Sequence, residues 1–130
     1  MKYTDTNDER IRLLNLQILL SIIFIGTTLT AIIISYNERN YLKYNKRFID
    51  KKKSNNIVKI NRTIIIILLL GYIYINEKNK ELDKRNGIDT TADNLEILAS
   101  FLTLISALII LYVIFNYRND DITITENPNI

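Results

Sequence analysis

Ile64-Ile65-Ile66-Ile67-Leu68-Leu69-Leu70-Gly71-Tyr72-Ile73-Tyr74-Ile75 is the stretch on which the architecture turns. Its 12 uninterrupted residues are short for a helix that must cross a ~30 Å hydrocarbon layer, which takes about 20. Starting at Ile57 lengthens it to 19 residues but admits Lys59, Asn61 and Arg62. The nine Ile and Leu of the clean core supply roughly −3 to −5 kcal/mol of insertion preference. The two basic residues sit at one end, where snorkelling relieves most of their cost. The balance predicts a crossing, with a segment that dips in and returns as the competing model. The helix is expected to run on past the apolar part: Glu77 with Lys80 and Glu81 with Arg85 have helical pair spacing, and nothing breaks a helix before Gly87.

Two stronger apolar stretches flank it. Residues 11–36 carry only Arg12, Asn15 and Gln17 as polar interruptions, so residues 18–36 are clean. No small-x-small cleavage site precedes Asn37-Glu38-Arg39, which argues for a retained span over a cleaved signal peptide. Residues 95–117 are interrupted by Glu96 and Asn116 alone, with Tyr112 and Tyr117 where aromatic rings suit an interface. Asn86-Gly87 reads as a helix stop and Asp93-x-x-Glu96 as a capping pair for the last helix.

The pattern therefore predicts an all-α integral membrane protein: one membrane domain over 1–130 with three transmembrane helices at about 13–36, 60–76 and 95–117. The middle one is short at its cytoplasmic end and extended as a helix outside the membrane. A basic loop, 37–59, and a polar C-terminal tail, 118–130, complete the chain. The whole-chain mean hydropathy is close to zero only because Ile-rich runs average with charged ones.

Composition excludes much chemistry. With no His and no Cys among 130 residues there is no neutral-pH imidazole base, thiolate, disulfide or Cys/His metal site. The 26 Ile and 16 Asn against 4 Ala suggest an AT-rich gene, so single Asn residues are discounted as codon bias. Carboxylates fall outside the expected hydrocarbon zone, and Asp120-Asp121 and Asp89 with Asp93 sit at a terminus or a helix cap. Neither an enzyme nor a cofactor is expected, and there is no Gly-rich phosphate loop.

Lys and Arg number 3 before the first span, 9 from Asn37 to Arg62, 4 from Asn76 to Asn94 and 1 after Tyr117. Three crossings set 10 against 7, and the positive-inside rule then predicts a multi-pass protein of a bacterial plasma membrane with its N-terminus outside and its C-terminus cytoplasmic. A re-entrant middle segment would put 13 in the connecting region against 4 at the termini. That fits the charge rule better and explains the isoleucine run less well.

Within the basic loop, Tyr41, Tyr44 and Phe48 follow i, i+3, i+7 spacing among Lys43, Lys46, Arg47, Lys51, Lys52 and Lys53. On a helix this makes an apolar stripe with basic flanks, suited to anionic lipid headgroups or a docking partner. The plainer reading is a topogenic, solubilising loop, and nucleic acid is not an expected partner. Small residues form two ladders, Thr27-Ala31-Ser35 and Ala99-Thr103-Ala107, with Gly71 alone in the middle segment. Such positions allow close helix packing in lipid. Depth predicts that Gly71 meets Ala99 and Thr103, leaving the first ladder for a second copy or another membrane protein. With no charge deep in any span, packing is preferred to a pore lining.

The run Ala99-Ser100-Phe101-Leu102-Thr103-Leu104-Ile105-Ser106-Ala107-Leu108-Ile109-Ile110-Leu111-Tyr112-Val113, with the closing Glu126-Asn127-Pro128-Asn129-Ile130, resembles small multi-span membrane proteins of clostridia and other AT-rich Firmicutes. The resemblance implies a plasma-membrane location and carries no activity or site residue with it. Two functional classes follow: a non-enzymatic accessory or scaffold membrane protein, and a pore or lesion former similar to three-span phage holins. The tail from Asn116 to Ile130, with one basic and three acidic side chains, departs from the basic tail usual in holins.

Overall fold

A computed structural model describes residues 2–117, with side chains from Thr6 onward; the tail 118–130, and with it the closing pentapeptide, lies outside the described residues. The described chain is all-helical: α1 Lys2–Tyr44, α2 Lys51–Arg85 and α3 Thr91–Asn116. All three are long and apolar enough to cross a membrane. At 1.5 Å per residue, α2 is about 50 Å long.

The expected 37–59 loop is a correction. Residues 37–44 hold no Gly or Pro, so α1 runs on until Asn45, whose φ of 60° is a left-handed stop that Asn tolerates. Asp50 then accepts from the Lys53 amide at 2.8 Å, which starts α2 six residues ahead of the first apolar one. Only residues 45–50 connect the two helices. At the far end Asn86 caps α2 and Gly87, φ 70°, reverses the chain as the Asn-Gly pair predicts. The Asp93-x-x-Glu96 cap is not found. Thr90 is the N-cap, Asp89 accepts from the Thr91 amide and hydroxyl, and Asp93 is buried.

Both connections are short and the helices run antiparallel. Ser21 meets Tyr72 at 3.1 Å and Asn37 meets Ser54 at 3.1 Å across α1 and α2, while Asn76 donates to Ser100 at 2.7 Å across α2 and α3. α2 lies in the middle and packs against both neighbours; the described parts of α1 and α3 make no backbone approach to each other.

The contact seams follow a 3.5-residue period. On α2 the buried positions other than Arg62, namely Ser54, Val58, Asn61, Ile65, Leu68, Ile75 and Leu82, advance in steps of four, three or seven. Leu13, Leu20, Thr27, Ala31 and Ile34 keep the same period on α1, as do Asp93, Ala107 and Ile114 on α3. This is the left-handed packing of antiparallel helices. Leu13, Leu20, Leu68, Ile75 and Leu82 form one apolar cluster, and Ile34, Val58 and Ile114 form another toward the 45–50 turn.

Candidate functional site

The period decides which small residues matter. Thr27 and Ala31 are buried in the α1–α2 seam, but Ser35, eight residues from Thr27, has turned about 80° off it and is exposed. Ala107 is buried against α2, whereas Thr103 and Ala99 drift off by about 40° and 80° and are exposed. A four-residue ladder cannot stay on a 3.5-residue seam beyond one step. The expected meeting of Gly71 with Ala99 and Thr103 is also a correction: a Cβ on Gly71 would lie 2.8 Å from Leu20 Cδ1 and 3.2 Å from Cδ2. Gly71 makes room for α1, and Thr27 and Ala31 of the first ladder are spent within the chain.

At the 45–50 turn the basic residues are unequal. Arg47 lies 3.7 Å over the Tyr41 ring and pairs with Glu38 at 3.1 Å, so much of its charge is answered internally. Lys43, Lys46, Lys52 and Lys53 are exposed and Lys51 is half-buried. Because α1 ends at Tyr44, Phe48 does not share a helix face with Tyr41; its ring packs 6.0 Å from Tyr36 instead. An open cleft of about 630 Å³ lies here, lined by Tyr41, Arg47, Phe48, Lys51 and Lys53 among others.

Holding this turn is a residue that sequence reasoning discounted. Asn37 is fully buried, at 0 % exposure. Its Oδ1 accepts from the Phe48 and Ile49 amides at 3.0 Å each, and its Nδ2 donates to the Ile49 carbonyl at 3.0 Å and to Ser54 Oγ at 3.1 Å. No local signal marks it, because its partners lie 11 to 17 residues away.

Between the two apolar clusters runs a polar layer. Asn61 donates to the carbonyl of Thr27 at 3.1 Å, and Thr27 is midway along the clean stretch 18–36. Arg62, its neighbour, is 1 % exposed, about 6 Å from the middle of 57–75 at 1.5 Å per residue. This corrects two expectations: that every charge lies outside the apolar interior, and that Arg62 snorkels outward. Its side chain is enclosed within the protein. Lys59 is turned toward α3, 5.1 Å from the Phe115 ring.

The end near the 86–90 turn joins all three helices. Arg10 of α1 donates to Asp83 of α2 at 2.7 Å, and Arg85 pairs with Glu9 at 2.6 Å. The Arg10 hydrogen bond is the largest cause holding the Asp83 carboxyl below its ordinary 3.8. Burial, then Asp83 itself, pushes Asp93 of α3 up. A cavity of about 240 Å³ opens beside them, lined by Arg10, Leu13, Leu14, Gln17, Asn79, Asp83 and Asp93.

The chain matches no protein-family model, no curated protein and no solved structure. Among the described residues no group of three or more acidic side chains is placed to hold a metal.

Proposed function

We propose that this chain is a multi-pass integral membrane protein of the plasma membrane, acting as a non-enzymatic accessory or scaffold through helix packing and a basic cytoplasmic face. The observation that carries the reading is an inverted pattern. Large apolar side chains point outward on all three helices, as with Ile18, Ile22 and Ile32, Ile60, Ile67 and Leu70, and Leu98, Leu102 and Ile109. Thr27, Asn37, Asn61 and Arg62 point inward. Water would penalise so continuous an apolar surface, whereas hydrocarbon penalises the polar groups that here are enclosed. That α2 is one long apolar helix antiparallel to both neighbours supports three crossings over a segment that dips in and returns.

The exposed Lys43, Lys46, Lys52 and Lys53 around the aromatic cleft suit anionic lipid headgroups at about 1 kcal/mol per well-placed basic residue. The outer faces of α1 and α3 remain for a second copy or another membrane protein. The test uses the absence of native Cys. Lys46→Cys, on the 45–50 turn, should be protected from a membrane-impermeant thiol reagent in intact cells, and Asn94→Cys, at the other end, should label. Release of the protein by alkaline carbonate would sink the membrane reading, and the opposite labelling would reverse the orientation. Abrupt depolarisation and lysis on induced expression would favour a pore former over the accessory role.

A further inference from the structure

Asp83, in the last turn of α2, and Asp93, in the first turn of α3, line one cavity, and each carboxyl shifts the other. Asp93 is 7 % exposed, its Oδ2 is buried without a hydrogen-bond partner, and it lines the 240 Å³ cavity. Two ionised carboxylates in contact repel, and a buried one without donors is costly. Among the described residues the charged groups that face Asp93 are Asp83 from α2, Arg10 from α1 and Glu96 from α3 itself. Arg10 is already committed to Asp83 Oδ1 at 2.7 Å, so among the described residues the cation at this site serves one carboxylate and leaves the other.

We propose that Asp83 and Asp93 form a proton-binding site that latches the first turn of α3 onto α2. With the proton bound, the Asp93 hydroxyl donates to the Asp83 carboxylate, which Arg10 holds from its other side. When the proton leaves to water in the cavity, two adjacent negative charges face a single guanidinium, and the first turn of α3 loosens. The opposite displacements of the two carboxyls, Asp93 up by burial and Asp83 down by its Arg10 bond, agree with this division of roles. The site lies outside the apolar stretches 57–75 and 95–117, so the inference does not depend on the membrane reading.

The absence of His leaves the pH range just above ordinary carboxylate titration almost clear of other groups. Infrared titration of the purified, detergent-held protein should show one protonated carboxyl that persists to higher pH than the rest. It should vanish in Asp93→Asn and titrate earlier in Asp83→Asn, which removes the charged neighbour. Spin labels on Lys84→Cys and Asn94→Cys, both exposed, should report a distance distribution that broadens as that late carboxyl ionises and stays narrow when Asp93→Asn is added. A parent protein with no late-titrating carboxyl, or with the same distribution before and after it ionises, would overturn the proposal.

Discussion

Asn37→Ala removes the clamp on the 45–50 turn, and its cost can be worked from the geometry. Four hydrogen bonds of 3.0–3.1 Å are lost at a side chain with 0 % exposure, and at about 1 kcal/mol net apiece they set a ceiling near 4 kcal/mol. The two orphaned amides lie in a turn, where water can reach them once it opens, so we expect about 2–4 kcal/mol, or roughly 30- to 1,000-fold in the opening equilibrium. Asn37→Asp should fall between parent and Ala, since it keeps both acceptor bonds to Phe48 and Ile49 but can no longer donate to the Ile49 carbonyl. The assay is tryptic cleavage after Lys46 and Arg47 in detergent, with thermal unfolding followed in parallel. An Ala variant whose turn is cut no faster than the parent's, with an unchanged midpoint, would show that Asn37 does not hold the turn.

Gly71→Leu should cost about 1–3 kcal/mol by overpacking against Leu20, and adding Leu20→Ala should restore part of it; additive effects in the double variant would separate the two sites. Gly71→Ala should cost less, because the opposing atoms are the flexible end of Leu20. Because Asp83 is held below 3.8 by Arg10, its stabilising contribution is present above that value and lost as pH falls through the lower folded-state value. Arg10→Ala should therefore flatten the acid limb of a stability–pH curve, and an unchanged limb would remove Arg10 from that role. Asn76→Ala should cost about 1 kcal/mol by breaking the 2.7 Å bond to Ser100, measured as a lower thermal midpoint; no shift would mean that water replaces the bond.

Local chemistry was enough to read three helices from the amino-acid order. Hydrophobic runs of sufficient length and the Asn86-Gly87 stop act within a few residues of one another, whereas the expected Glu77–Lys80 and Glu81–Arg85 pairs are replaced by Lys78 with Glu81 and by Arg85 with Glu9 of α1. The extension of α2 to Arg85 followed from the same short-range logic. The 37–59 loop is not there because the end of an apolar run does not end a helix: Asn-Glu-Arg-Asn continues α1, and Lys-Lys-Lys-Ser-Asn-Asn begins α2 once Asp50 caps it.

What only tertiary structure decided is which face of each helix meets which neighbour. A small shift between a four-residue ladder and a 3.5-residue seam put Thr27, Ala31 and Ala107 inside and left Ser35, Ala99 and Thr103 outside. The same placement turned Gly71 toward Leu20, enclosed Arg62, gave Asn37 four partners and set Asp93 beside Asp83. Composition makes an Asn look like codon bias and an Asp like a cap. Their roles depend on partners about 10 to 34 residues distant, brought into reach by the packing of α1 and α3 against α2.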